Sequence, residues 1–239
     1  METFNTKFGK ITLKSNETHI IKPFRKGGYW DIRKMQKCLK MIDTNRNILE
    51  IGGHAGTSTI FYANFIKGDI TVYEPQKKMY DLLKLNIHQN KLDDRIKAIH
   101  GAMFCCVGTA NMNDKSGIRA PLDDNVKSNY GGVSIGDKGE EVKLTTIDTE
   151  PLNNIGFIHC DAEGSENFIF SKGINLIKRD RPFILYECNS EFSPACYKKM
   201  CRIYPQFSVE SKFSIKDYCM DVLNYKECIK WYNDYFLIP

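Results

Sequence analysis

Residues 47–66, NILEIGGHAGTSTIFYANFI, decide how the rest of the chain is read. Asn47 to Gly52 has the aliphatic run of a buried strand, a glycine turn follows, and an apolar helix runs from about Thr57 to Ile66. The next strand is Asp69 to Glu74, DITVYE, after which Pro75 opens a helical run to Asn90 from a first-turn position. Arg95 to Gly101 supplies a third strand. Val142 to Ile147, Ile155 to Cys160 and Phe183 to Tyr186 are further β-rich runs, with a helix from about Ser165 to Lys178 before the last. Strand and helix alternating in this way predict an α/β fold with a mostly parallel sheet and helices on both faces. Ligands of such sheets bind outside the carboxyl ends of the strands, where strand order reverses, so the glycine turn is the place to look.

At 239 residues and 42% hydrophobic, the chain buries a core of one domain rather than two. Residues 1–45 read as an N-terminal segment with a leading helix from Trp30 to Ile42, whose Ile32, Met35, Leu39 and Ile42 share a face. Between Phe104 and Glu141 the pattern dissolves into Gly, Asn, Asp and Ser, which predicts an irregular loop over the active face. Residues 188–239 offer a helix at CYKKMCRIY, a strand near Phe207 to Glu210 and a closing strand at Tyr235 to Pro239.

The start of the chain shows no apolar signal region, and no run approaches the roughly 20 apolar residues of a spanning helix. Nine cysteines at irregular spacings, with no zinc-knuckle pair, fit reduced thiols in a cytoplasmic protein. The net charge of +5 reads as a solvated, Lys-rich surface and by itself names no nucleic-acid partner.

The glycine turn runs Glu50, Ile51, Gly52, Gly53, His54, Ala55, Gly56, Thr57, Ser58. A dinucleotide fingerprint fails in both registers: from Gly52 its glycine positions fall on His54 and Thr57, and from Gly53 on Ala55 and Ser58. A phosphate-binding Walker loop fails too, because no Lys follows Gly56. What remains is E-x-G-x-x-x-G after one strand and Glu74-Pro75 after the next. Glu74 is placed to accept hydrogen bonds from two ribose hydroxyls, each contributing about 1.5–3 kcal/mol. A ligand with an adenosine and no phosphate fits, which points to S-adenosyl-L-methionine.

Taken in order, LEIGGHAGTSTIFYA, VYEPQ, LKLNIHQN, LTTIDT, FIHCDAEGSENFIFSKG and RPFILYE resemble the FkbM family of S-adenosylmethionine-dependent methyltransferases, from about Asn47 to Glu187. The resemblance implies a Rossmann-like class I methyltransferase sandwich with a seven-stranded sheet. It also implies O-methyl transfer, most often to a sugar of a glycan or glycoconjugate, with the acceptor a carbohydrate and no membrane insertion. Cofactor contacts then fall on Glu50, Gly52, Gly53, His54, Gly56, Thr57, Ser58, Glu74, Pro75, Gly101, Ala102, Met103 and Asp161.

Methyl transfer from a sulfonium requires an aligned acceptor and help with its proton. Asp161 and Glu163 lie where the strand Ile155–Cys160 leaves the sheet, and Glu187 ends the neighbouring strand. Two uses are open: Asp161 or Glu163 as general base, or Asp161, Glu187 and Asn189 as oxygen ligands of a divalent ion such as Mg²⁺. His159 shares a strand face with Asp161 and reads as a core histidine or a second base. Glu166 is expected to favour a helix N-terminus. Phe24 to Trp30 offers aromatic and basic groups to a sugar, and Asn129 to Gly132 a loop closing over it. Ribose 2'-O-methylation of RNA is the nearest alternative activity; a nicotinamide-dependent oxidoreductase and a non-catalytic binding module share the fold class.

Overall fold

A computed structural model describes residues 1–113, 125–187 and 213–239. The chain opens with an antiparallel hairpin, β1 (Glu2–Thr6) and β2 (Gly9–Leu13), where the sequence suggests only a polar lead-in. Two short helices follow, α1 (Ile21–Arg25) and α2 (Ile32–Leu39), so the leading helix is shorter than the expected Trp30–Ile42. Next come β3 (Asn47–Ile51), α3 (Thr57–Ala63), β4 (Ile70–Glu74), α4 (Lys77–Gln89) and β5 (Ile96–His100), matching the predicted units. Pro75 is not in the first turn of α4: Gln76, in extended conformation, is the residue that caps it. The Glu74 carboxylate takes the Gln76 amide at 2.7 Å, which holds this short connection outside the helix.

Part of the stretch expected to be irregular joins the expected strand Val142–Ile147 in a second sheet, separate from the main one. Its strands are β6 (Ala102–Met103), β7 (Gly108–Met112), β8 (Ile135–Gly136) and β9 (Glu141–Thr145), in the order β6-β9-β7-β8. Buried Ala110 and Met112 recur at the strand period, as Val142 and Leu144 do in the expected strand, but the run Gly108–Met112 is too short to stand out among glycines and asparagines.

After β10 (Ile155–Cys160), the single helix expected over Ser165–Lys178 is two: α5 (Glu166–Phe170) and α6 (Ile174–Asp180). Ser171 turns its hydroxyl back onto the Phe168 carbonyl at 2.7 Å, and Asp148 accepts the amides of Asn175 and Leu176 at 3.2 and 3.0 Å, starting α6 afresh. β11 (Phe183–Glu187), α7 (Ile215–Asp217), a wide turn at Tyr218–Val222, β12 (Glu227–Trp231) and β13 (Asp234–Ile238) complete the described chain. The expected helix at CYKKMCRIY and strand at Phe207–Glu210 lie outside the described residues.

The main sheet has seven strands in the order β12-β13-β11-β10-β3-β4-β5, with β13 the antiparallel member beside β11. β10 is buried at all six positions because helices cover both faces. Alternation splits its neighbours between two cores. Ile158 and Cys160 pack with Phe168, Phe170 and Ile177 on the α5–α6 side, while Phe157 packs with Phe61, Tyr62 and Phe183 on the α3 side.

Asn86 of α4 fastens the hairpin to this frame. It accepts the Thr12 amide at 2.7 Å and donates to the carbonyls of Thr12 and of Ala55 in the glycine turn at 3.0 and 2.7 Å. Asn90 adds a bond from the Lys10 amide at 2.8 Å. Among the described residues, no helix is long and apolar enough to cross a membrane.

Candidate active site

Strand order reverses between β3 and β10, and the site lies off their carboxyl ends. Gly52 crosses beneath Asp161 with φ +88°, and a Cβ there would stand 1.9 Å from the Asp161 carbonyl oxygen. Only glycine combines that dihedral with that approach. Glu50 lies under the turn, fully buried, where it accepts hydrogen bonds from the hydroxyls of Ser58 and Thr59, the latter at 2.6 Å. Its carboxylate therefore clamps the start of α3 to β3 and lies outside the lining of both chambers described below.

A chamber opens above the turn, off the carboxyl ends of the strands. Gly52, His54, Glu74, Pro75, Gly101, Ala102, Met103, Asp161 and Glu163 all line it, so most of the sequence-predicted cofactor residues converge. Glu74 is buried, with its oxygens accepting the His54 and Gln76 amides at 2.7 Å each. Burial raises its pKa to about 7; the two amides favour the charged form, while Glu140 and Asp161 oppose it. Each oxygen keeps a lone pair for a ligand.

The wall opposite was less legible. Glu17, buried, accepts the amides of His19 and Tyr130 at 2.9 and 3.0 Å, and Thr18 and Ser128 share a backbone bond. Gln76 donates to the Tyr130 carbonyl at 2.8 Å. Residues 16–18 and 128–131 are thus stitched together, bringing Ile20 and Gly131 to the chamber.

Asp161, Glu163 and Glu187 bring one carboxylate oxygen each within 4.8 Å of one another. Burial pushes Glu187 up to about 9 and Glu163 up to about 7, with Asp161 reinforcing both. Three carboxylates so placed hold a proton or a cation, and their hard oxygens suit a divalent ion. Asn189, the third expected metal ligand, lies outside the described residues.

Glu166 does more than favour a helix end. It is buried, its Oε1 accepts the Ala162 and Gly164 amides at 3.0 and 3.3 Å, and burial raises its pKa to about 8. It fixes the turn that carries Asp161 and Glu163.

A second, smaller chamber adjoins the first. Gly52, His54, Asp161 and Ile20 belong to both; Trp30, Asp31, Lys34, Gly53, Thr57, Ser58 and His159 line the second. Lys34 pairs with Asp31 at 2.8 Å and with Asp234 at 3.2 Å, which raises its pKa against the effect of burial. His159 stands 3.4 Å from Glu50 and has no hydrogen-bond partner at Nδ1. His54 is held at φ +47°, and both its ring nitrogens are closed to solvent and without a partner. Burial lowers its pKa, so the ring is neutral, with one donor and one acceptor to offer.

Residues 50–207 match a family model described as the methyltransferase FkbM domain. The chain belongs to the FkbM methyltransferase family. Among solved structures, the fold resembles a methyltransferase FkbM from Methylobacillus flagellatus KT, with a TM-score of 0.52 and 12% identity over 81% of this chain and 44% of that one. The present chain thus spans less than half the length of that relative. An O-methyltransferase from Bacillus cereus in complex with S-adenosylhomocysteine is also similar, with a TM-score of 0.44 and 16% identity over 86% of this chain and 78% of that one. No curated protein sequence matches. The sheet order described above is that of the Rossmann-like class I S-adenosylmethionine-dependent methyltransferases.

Within this FkbM domain the structure gathers Asp161, Glu163 and Glu187, and keeps Thr57 and Ser58 to the second chamber. Gly56 lines neither chamber; at φ +82° it lets α3 start close to Leu83. Sequence reasoning missed Glu17, Lys34 and Gln76, whose relevance depends on contacts across 54 to 200 positions.

Proposed function

We propose that the chain is an S-adenosylmethionine-dependent O-methyltransferase whose acceptor is a hydroxyl on a sugar of a glycan or glycoconjugate. The observation that carries this reading is the opening of Glu74 on one side, and Asp161 and Glu163 on the other, into a single chamber. Glu74 would take the ribose hydroxyls on its remaining lone pairs, while Pro75, Gln76 and Gly101 to Met103 flank the adenine. The unpartnered His54 nitrogens and the glycine turn offer polar contacts without a phosphate site, as this cofactor requires.

When bound, S-adenosylmethionine supplies an electrophilic methyl group on a sulfonium that departs as a neutral thioether. Asp161 orients the acceptor hydroxyl and takes its proton, and Glu163 and Glu187 shape the field around it. Held close together, the same acids also fit a divalent ion that would lower the hydroxyl's pKa.

The test is calorimetric titration with S-adenosylhomocysteine and, separately, with NAD. Micromolar binding of the first with none of the second supports the reading. Binding of NAD in its place would return the chain to the oxidoreductase class.

A further inference from the structure

The end of the sheet that carries Asp161 also carries a feature that the methyl-transfer chemistry leaves unused. β11 runs parallel to β10 and β13 antiparallel to β11, so Asp161, Glu187 and Asp234 stand in one row across the carboxyl ends. The two-residue turn that joins β12 to β13, Tyr232 and Asn233, therefore projects from the sheet at the same end as the acids. Lys34 links this turn to the site: it lines the second chamber and pairs with Asp234 at 3.2 Å. Asp161 and Asp234 are two strand spacings apart, about 10 Å, and Tyr232 stands beyond Asp234.

Tyr232 is ill suited to its position. Its φ is +55°, where a bulky side chain is an outlier and where such hairpin turns take Asn, Asp or Gly. It is also 86% exposed, the most of any large hydrophobic residue among those described. Neither the turn nor burial accounts for an aromatic here, whereas contact with a ligand does. The ring is braced as well. Trp231 meets it edge-on with centroids 6.2 Å apart, and Trp231 is itself pinned by Lys37, 4.3 Å from its ring centre.

An exposed aromatic face stacks on the apolar face of a sugar ring or on a nucleobase. The charge nearby separates the two. Asp31, Asp161, Glu163, Glu187 and Asp234 gather at this end of the sheet. The cations beside them are engaged: Lys34 pairs with two of the acids, and Lys37 and Lys230 lie over the rings of Trp231 and Tyr235. A polyanion is repelled by such a field and a neutral sugar chain is not.

We propose that Tyr232 binds the acceptor by stacking on a sugar ring remote from the hydroxyl that is methylated, so that the acceptor is a neutral glycan chain rather than a single sugar. A lone sugar with its hydroxyl at Asp161 does not reach the hairpin tip; a chain of them does. This deepens the methyltransferase reading above and rests on it.

The test uses the full chain and a printed array of neutral glycans of increasing length, read by transfer of labelled methyl from S-adenosylmethionine. The best glycan is expected to show a kcat/KM tenfold or more above that of its terminal monosaccharide. Tyr232→Gly removes the ring while relieving the turn. It should melt at or above the wild-type temperature and raise KM for the glycan about tenfold with kcat held within twofold, against a change below threefold for the monosaccharide. Tyr232→Trp should keep the glycan KM within threefold of wild type. Equal use of glycan and monosaccharide, a wild-type glycan KM in Tyr232→Gly, or a KM loss accompanied by a lower melting temperature would overturn the proposal and leave the methyltransferase reading standing. Methylation of no glycan, or of a short single-stranded RNA in their place, would remove the sugar acceptor and this proposal with it. Failure of S-adenosylhomocysteine to bind would remove the methyltransferase reading as well.

Discussion

Changing Glu74 to Gln tests the cofactor chamber at its most loaded atom pair. The carboxylate accepts two backbone amides at 2.7 Å each and has a lone pair left on each oxygen. In glutamine one carboxylate oxygen becomes the NH₂ of a carboxamide, so one backbone amide faces a donor and one ribose hydroxyl loses its acceptor. Loss of a single charge-assisted bond costs about 1.5–3 kcal/mol, which corresponds to a dissociation constant for S-adenosylhomocysteine weaker by roughly 10- to 150-fold. The pH dependence gives an independent reading. With its pKa raised to about 7, Glu74 is about half protonated at pH 7 in the free protein. Ribose hydroxyls bonding to the ionised form would draw that pKa down, releasing about half a proton per ligand bound at pH 7 and weakening affinity as pH falls below 7. Calorimetry in buffers of different ionisation enthalpy measures the release directly. Binding within threefold of wild type in Glu74→Gln, together with no proton exchange at pH 7, would show that the ribose is not held here.

Asp161→Asn should lower methyl transfer by about 10²- to 10⁴-fold with S-adenosylhomocysteine binding retained, measured by single-turnover assay and calorimetry; unchanged turnover would remove Asp161 as the base. In Gly52→Ala the new Cβ would meet the Asp161 carbonyl at 1.9 Å in a left-handed conformation, so the thermal midpoint should drop by several degrees; a wild-type melt would contradict the turn geometry. Glu166, raised to about 8 from 4.5, disfavours the folded state once ionised, so its contribution weakens stability as pH climbs from about 4.5 through 8. Glu166→Gln keeps an oxygen for Ala162 and Gly164, and denaturant unfolding at pH 5 and pH 8.5 should show a flatter profile than wild type. Asn86→Ala leaves buried partners in both β2 and the glycine turn unpaired, at about 1–3 kcal/mol, and hydrogen exchange should rise at Thr12 while the Val72 amide in β4 stays protected.

The parts of the fold legible in the sequence were those whose burial is simple. β3, β4, β10 and β11 are covered on both faces, so their residues are mostly apolar, and the glycine turn stood out because Gly52 and Gly56 occupy positive φ. The carboxylates at the ends of β10 and β11 followed from strand placement alone. The remainder depended on distant partners. The break between α5 and α6 is made by Asp148, which precedes β10 in the chain. In the small sheet only β9 was legible, because the runs of β6, β7 and β8 are too short for their alternation to register before they pair. Glu50 had the right position for a cofactor contact, yet Ser58 and Thr59 occupy its carboxylate.

The asparagine anchors of the hairpin bear on the order in which the chain is made. β1 and β2 leave the ribosome before the residues that hold them: Asn86 and Asn90 lie 74 and 80 positions beyond their partners. At synthesis rates of about 5–20 residues per second, that is a wait of roughly 4 to 15 s, during which a lone two-stranded hairpin is marginal in water. Because Asn86 also holds Ala55, the glycine turn waits for the same event. The hairpin therefore reaches its native contacts together with the glycine turn, after α4 has emerged, and nascent chains halted before residue 86 should expose both to protease.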